Sequence, residues 1–389
     1  MNIPKKFKKA DIVVGIPSYN EADNIDFVVR QIDKGISSYF PKKKGLIINV
    51  DNNSSDKTRE AFLRTKTFAS KAYISSKPGQ RGKGYNFYNL FKIIRNFSCE
   101  INLVFDADLK SIEPIWIKKM ADSLIKGYDF VCPFYARNKK DALITNHFCY
   151  PLIYALLGWD IGQPIGGDFG FSLQMVEHWL SKKWQKSVYR YGVDIFMTTE
   201  AILNNFKICQ VDLGSKIHKP SQLKLKSMFI EVALTLFSQL VVSKRFWGNR
   251  KIKKAKIFNR RVKQRPRLSG LDLQRFKDVY NLGFQANEGF LKMILMPENQ
   301  QRLKEIAQSE RVGINSDLWS RIIYDFIFAY ERNFNKRKLM ELLEIIAFGR
   351  FFYCLKSIEK LNFSKAEREM IKQAKIFRKN RSYLVNKYK

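Results

Sequence analysis

The chain has 389 residues, 45% of them hydrophobic and 14% aromatic, with a formal net charge of +34. That length accommodates one large domain with a smaller companion, or two domains, and the apolar content excludes a disordered chain. The charge implies acidic partners, such as nucleotides, phosphorylated small molecules, nucleic acid or an anionic membrane face, without choosing among them.

The first two-thirds alternates strand and helix signals. DIVVGIP (11–17) is an apolar, β-branched run that reads as a buried strand, broken at Pro17-Ser18-Tyr19-Asn20. Asn20 is expected to cap a helix carrying Ile25, Val28, Val29 and Ile32 on one face and stopping at Gly35. GLIINV (45–50) is a second strand ending at Asp51, and a helix follows around 56–69. A short strand near 72–76 leads into KPGQRGKGYNF, a glycine-rich loop that opens a helix. INLVFDAD (101–108) is the next strand, Pro114 opens a helix ended by Gly127, and YDFVCPFY (128–135) is a further strand.

Repeated strand–helix units specify a mostly parallel sheet flanked by helices, and in such sheets ligands sit beyond the C-terminal strand ends. Each strand end here carries polar groups: Asn20 and Glu21, Asp51, Asp106 and Asp108, and Arg137. From about 220 onward the texture becomes helical and most of the net positive charge accumulates, with no acid in 251–267. A boundary is expected between 220 and 265, giving a catalytic region 1–220 and a basic, mostly helical region 221–389. The segment 331–361 reads as one or two amphipathic helices.

Five cysteines without a CxxC pair argue against a zinc site or a disulfide framework and fit a reducing cytosol. The N-terminus lacks an apolar stretch before a cleavage site, so no signal peptide is expected. The longest apolar stretch (228–242) contains Glu231 and Gln239 and is short for a bilayer span, so a cytoplasmic chain without a transmembrane segment is expected.

Asp106 and Asp108, two apart at a strand end, project to one side, where they could share Mg²⁺ or Mn²⁺ with a diphosphate. Equally, they could be a solvated turn. Lys83 lies among Gly79, Gly82 and Gly84 at a helix entrance, a setting for phosphate contact or simply a basic loop. Neither GxxxxGK[ST] nor GxGxxG is present. Ile165-Gly166-Gly167-Asp168 and Tyr191-Gly192-Val193-Asp194 pair glycine with a carboxylate, permitting close backbone approach to a substrate or forming ordinary turns. His218, in GSKIHKP, is one of three histidines and reads as a metal ligand or a structural cap.

In this order, IPSYNE, Asp51, GKG and the DxD resemble GT-A glycosyltransferases of the large family-2 group. DALITN, GQPIGGD, YGVDIF and GSKIHKP resemble, more narrowly, the retaining mannosylglycerate and glucosylglycerate synthases and their relatives that glucosylate 3-phosphoglycerate. The resemblance covers about residues 10–222 and implies an α/β GT-A fold with a helical C-terminal extension. It implies that Pro17, Tyr19, Glu21 and Asp51 hold the base and ribose of a nucleotide sugar, that Lys83 meets the diphosphate, and that Asp106 lies near the ribose. Gly167 and Asp168 would complete the donor site, and Asp108 and His218 would bind the divalent metal.

Arg137, Asp141 and Thr145 match the glycerate-binding spacing, although Lys139 and Lys140 could still attract a phosphate. Asp194 and the backbone at Ile165-Gly166 would support positive charge developing on the sugar during transfer with retention. An inverting reading makes Asp168 or Asp194 a general base, with a polysaccharide or lipid acceptor. A nucleic-acid binder ranks last because it leaves the strand-end acids unexplained. Homo-oligomerisation through the basic helices remains open.

Overall fold

A computed structural model of the chain describes residues 9–219, 224–248, 250–259, 272–309, 313–332 and 335–389. Pro220 and positions 260–267 of the basic run lie outside them. The described residues fall into two compact units. One holds the residues up to Ala136, those from Gln163 to Lys224, and a short strand at 256–258. The other holds Arg137–Gly162, Leu225–Lys254 and the helices from Leu273 onward. A single cut at 220 does not reproduce these units, because 137–162 groups with the helices and 256–258 with the sheet.

The first unit is built on an eight-stranded sheet. Its strands are β1 (Ile12–Ser18), β2 (Gly45–Asp51), β3 (Ser70–Ser75), β4 (Ile101–Val104), β5 (Phe130–Ala136), β7 (Phe169–Phe171), β8 (Ile208–Ser215) and β10 (Lys256–Phe258). They lie in the order β10-β8-β5-β7-β4-β1-β2-β3, all parallel except β7, which runs antiparallel to both β4 and β5. β10 was not foreseen, since a lysine-rich stretch hides its two half-buried apolar positions, Ile257 and Phe258.

β1 is central and buried along its whole length, which is why it reads as an unbroken apolar run rather than an alternating one. On one face α1 (Ile25–Tyr39) and α4 (Pro114–Ile125) bury Val28, Val29, Ile32, Trp116, Ile117 and Met120 against it. On the other, α3 (Lys83–Phe97) and α6 (Leu173–Ser181) build an aromatic layer in which Phe91 stacks on Trp179 at 4.9 Å and meets Phe171 at 5.4 Å. Two further helices, α2 (Thr58–Arg64) and α7 (Val193–Leu203), complete the layers.

Two helix-boundary expectations are corrected. Asn20 is not a cap: its φ is +56° and its Oδ1 accepts from Ser55 N, tying the end of β1 to the loop after β2. Gly35 does not stop α1; it sits inside the helix because a Cβ there would come within 2.4 Å of Ile117 Cγ1. Glycine at this point serves helix packing, not termination.

The second unit is mainly helical. It begins with two π-helical turns, Thr145–Cys149 and Ile153–Leu157, around α5 (Tyr150–Leu152), whose Pro151 cannot donate a backbone hydrogen bond. A two-stranded ladder pairs β6 (Trp159–Asp160) with β9 (Lys253–Lys254). The helices are α8 (Leu225–Val242), α9 (Leu273–Lys292), α10 (Pro297–Gln308), α11 (Ser316–Glu331), α12 (Lys336–Ser357), α13 (Phe363–Lys379) and α14 (Arg381–Asn386).

By length and composition α8 could cross a membrane, but half of it is buried within the protein. Its Phe229 and Phe237 pack on Phe148, and its buried Glu231 pairs with Arg337 at 3.2 Å, as in the core helix of a globular unit.

Candidate functional site

The C-terminal edge of the parallel sheet gathers most of the singled-out residues. β4 stops at Val104, earlier than expected, and Asp106 to Asp108 lie in the loop beyond it. Asn24, a residue the sequence reading passed over, pins this loop by donating through Nδ2 to Ala107 O and Leu109 O, both at 2.9 Å. The loop is also laced to the segment after β8: Lys110 N donates to Ile217 O at 2.8 Å and Ser111 Oγ donates to Ser215 O at 2.9 Å. This lacing brings His218 to Asp108, with Nδ1 4.0 Å from Oδ2.

The two aspartates have different surroundings. Asp106 is enclosed by two lysines: Lys83 Nζ at 2.9 Å from Oδ1 and Lys216 Nζ at 3.1 Å from Oδ2. Burial alone would raise its pKa, but the two ammonium groups outweigh burial and hold it well below the usual carboxylate range. For Asp108, burial and the charge of Asp106 raise the pKa.

Lys83 also approaches Asp194 Oδ2 at 3.4 Å. Burial would lower its pKa, and Asp106 with Asp194 reverses this, keeping it a cation. Asp194, in the first turn of α7, has its pKa raised by burial despite Lys83, and its buried Oδ1 has no hydrogen-bond partner.

Lys216 was missed, although it is the most connected residue of the site. Its Nζ lies 2.7 Å from Asp168 Oδ2 and donates to Gly166 O at 2.8 Å. Asp168 is fully buried; it accepts from Tyr135 Oη at 2.5 Å and from Asp106 N at 2.8 Å. In this arrangement both oxygens of Asp168 are engaged by the protein's own groups.

The paired glycines are likewise reassigned. Gly167 has φ +88°, and a Cβ on it would lie 2.2 Å from Asp106 Oδ2. Its close approach is to the protein's own ion cage. Gly166 presses on Pro133, where a Cβ would fall within 2.2 Å of Cγ, while the neighbouring Ile165 is partly exposed.

Several backbone amides of the glycine-rich loop are engaged within the protein. Gly84 N donates to Arg190 O at 2.9 Å and Tyr85 N to Tyr189 O at 3.0 Å, so two amides of the first turn of α3 are spent on a neighbouring loop.

Of the expected nucleotide contacts, Tyr19 is 46% exposed and available for stacking, while Pro17 is buried in β1. Glu21 pairs with Lys219 at 2.7 Å. Asp51 is fully buried and spends both oxygens locally, on Ser18 Oγ at 2.9 Å, Ser54 Oγ at 2.5 Å and Ser54 N at 2.7 Å. It organises the β1–β2 edge.

Arg137, Asp141 and Thr145 belong to the second unit and form a group of their own. Arg137 Nη1 is 3.0 Å from Asp141 Oδ2, and Thr145 is buried where the first π-helical turn begins. Lys139 is not a phosphate lure: its Nζ donates to Ile358 O, Glu359 O and Leu361 O at 3.0, 2.6 and 2.7 Å, capping the C-terminal end of α12.

No group of three or more His, Cys, Asp or Glu able to hold a metal occurs among the described residues. The donor set nevertheless fits a hard cation that keeps waters and phosphates in its shell. Four carboxylates (Asp106, Asp108, Asp168, Asp194) face two ammonium groups (Lys83, Lys216), an excess of two negative charges. His218 Nδ1 lies 2.7 Å from Lys219 O, a geometry that places the proton on Nδ1 and the lone pair on Nε2.

Comparison with known proteins agrees with this architecture. The family model described as glycosyl transferase family 2 matches residues 13–179. No curated protein matches the chain. A crystal structure described only as a mycobacterial protein is similar over 60% of this chain and 75% of that one, with 24% identity and a TM-score of 0.50. Glucosyl-3-phosphoglycerate synthase from Mycobacterium tuberculosis, in complex with Mn²⁺, UDP and glucosyl-3-phosphoglycerate, aligns over 60% of this chain and 80% of that one, at 23% identity and a TM-score of 0.49. The same synthase with Mg²⁺ and UDP aligns over the same shares at 24% identity and a TM-score of 0.49. The fold is GT-A, and the glycosyl transferase family 2 model matches residues 13–179 of it.

Proposed function

Starting from a chain that is a glycosyltransferase, we propose that it moves a hexose from a nucleotide sugar to D-glycerate with retention at the anomeric carbon, in the cytoplasm. The observation that carries this reading is the contrast at the sheet edge: Asp106 is neutralised by two lysines, whereas Asp108, 4.0 Å from His218, makes no ion pair with a lysine among the described residues. Asp108 and His218 are the residues that would hold Mg²⁺ or Mn²⁺. Bound there, the ion would supply positive charge to the departing diphosphate.

The rest of the chemistry falls to side chains of the chain. Lys83, kept protonated by Asp106 and Asp194, donates to a diphosphate oxygen. Asp194, with an unpartnered buried oxygen, stabilises positive charge on the sugar ring. The acceptor hydroxyl attacks from the face the phosphate leaves, and the departing phosphate oxygen takes its proton.

For the acceptor, Arg137 holds the glycerate carboxylate, and Asp141 and Thr145 hold its hydroxyls. The engagement of Lys139 with the end of α12 supports free D-glycerate over 3-phosphoglycerate, because it leaves Lys140 as the neighbouring lysine for a phosphate.

Asp194 also favours a second reading. A buried carboxylate with a raised pKa and a lone oxygen is equipped to act as general base in an inverting transfer, whereas the oxygens of Asp168 are engaged by Tyr135, Lys216 and the Asp106 amide. The test is incubation with GDP-mannose, GDP-glucose, UDP-glucose or ADP-glucose, with D-glycerate or 3-phosphoglycerate, and with Mg²⁺ or Mn²⁺. Products are identified by mass spectrometry and their anomeric configuration by NMR. An α-linked glycerate product from an α-linked donor is expected. A β-linked product assigns Asp194 as base, and absence of turnover with both acceptors overturns the glycerate reading.

A further inference from the structure

At the end of the sheet away from the site, where β1, β2 and β3 begin, the first unit carries a cleft of about 700 Å³. Its floor is apolar, formed by Ile36, Phe40, Leu46 and Ala69, and its rim carries Lys9, Lys43 and Lys44. Among the described residues no acidic side chain lines it. Phe68, also on the rim, is 93% exposed, which for a phenylalanine is costly in water and unexplained by any role in the core.

That exposure is fixed by the fold. Asp33, on α1, is buried, and its carboxylate accepts from Phe68 N at 3.1 Å and from Ala69 N at 2.8 Å. Thr67 Oγ1 donates to Ala69 O at 2.9 Å within the same turn. A buried carboxylate thus holds the backbone of a loop whose tip is a bare aromatic ring. Beside it, Lys9, Lys43 and Lys44 are exposed, and Asp11 is engaged by Lys44 N at 2.7 Å.

We propose that this face docks on an anionic lipid surface, with Phe68 entering the headgroup region and Lys9, Lys43 and Lys44 set against lipid phosphates. An aromatic side chain beside a cluster of lysines is the pairing that binds such an interface, since neither element suffices alone. The ion pairs of the site lie past the other ends of these strands, about 20 Å away for seven-residue strands, so docking leaves the site open to soluble reactants. The proposal does not depend on which sugar or acceptor the site takes.

The test is co-sedimentation of the full chain with vesicles of phosphatidylcholine alone or with added phosphatidylglycerol, at two salt concentrations. Because the net charge of +34 favours any polyanion, the decisive comparison is between variants of equal charge change. Binding to the anionic vesicles is expected, with Phe68→Ser weakening it roughly tenfold and Lys43→Glu with Lys44→Glu weakening it at least as much. Lys365→Glu with Lys379→Glu, on exposed positions of α13, should weaken it far less. Thermal denaturation verifies that each variant is folded. Equal binding by Phe68→Ser and the unaltered chain, equal loss with the α13 pair, or full displacement by short duplex RNA without regard to Phe68 overturns the proposal.

Discussion

Lys216 Nζ sits 2.7 Å from Asp168 Oδ2 and 3.1 Å from Asp106 Oδ2, so one buried ammonium joins two carboxylates that approach from different loops. Removing it leaves Asp168, which is fully buried, with a charge that Tyr135 and one backbone amide must hold alone. Lys216→Met is therefore expected to destabilise the protein by about 3–5 kcal/mol, the usual consequence of orphaning a buried charge. Urea unfolding at neutral pH measures this; a loss below about 1 kcal/mol would show that Tyr135 and the Asp106 amide suffice to hold the charge.

Gly167→Ala tests the same cage sterically. The φ of +88° is strained for alanine, and its Cβ would lie 2.2 Å from Asp106 Oδ2 and 3.0 Å from Lys216 Nζ. Asp106 must then move and take Lys83 with it. Since displacing a reacting group by about 1 Å costs on the order of a hundredfold in rate, kcat should fall by about that factor. Thermal denaturation of the same variant separates this from unfolding, and an unchanged kcat would remove Asp106 and Lys83 from the proposed chemistry.

Asp108→Asn and His218→Ala should each weaken Mn²⁺ binding at least about tenfold, read as free Mn²⁺ by electron paramagnetic resonance in the presence of a nucleoside diphosphate. The two side chains approach to 4.0 Å beside a local excess of carboxylates. Full affinity in His218→Ala would end the partnership without touching the fold.

Lys139→Ala distinguishes a cap from a phosphate ligand. Its ammonium satisfies three carbonyls at the end of α12, so its loss should lower stability by about 1–2 kcal/mol. The KM for a phosphorylated acceptor should not change. A KM that rises with little change in stability would mean that Lys139 leaves the helix end to meet the acceptor.

The sheet edge was legible in the sequence because periodicity and strand-end acids are local signals. β1, β2 and β5 appear where their apolar runs lie, and Asp108 lies 4.0 Å from His218. What the sequence concealed is which polar groups face one another. Lys216 reads as one basic residue in a basic stretch, yet burial makes it the centre of the site. Gly35, Gly84 and Gly167 read as punctuation or as ligand clearance, and each instead makes room for another part of the chain. Asp51 and Asp168 have the residue type of ligand contacts, but only their burial shows that their oxygens are already used.

Glu344, on α12, offers a pH prediction. It is 1% exposed, neither carboxylate oxygen has a hydrogen-bond partner, and the nearest recorded cation, Lys226 Nζ, is 3.9 Å away. Burial pushes its pKa up to about 7 from an ordinary 4.5, with Lys226 opposing. The folded protein therefore keeps a proton that the unfolded chain has already lost. Its contribution is most favourable below the unfolded pKa and declines as pH rises toward 7, by on the order of 3 kcal/mol across that window. His147, buried and held at about 3, slopes the opposite way, losing stability as pH falls below its ordinary 6.5. Glu344→Gln is neutral throughout and removes only the first slope. Urea unfolding at about pH 5 and about pH 8 should show the variant gaining on the parent at the higher pH. Parallel curves for the two proteins would mean that Glu344 is ionised and solvated in the folded state.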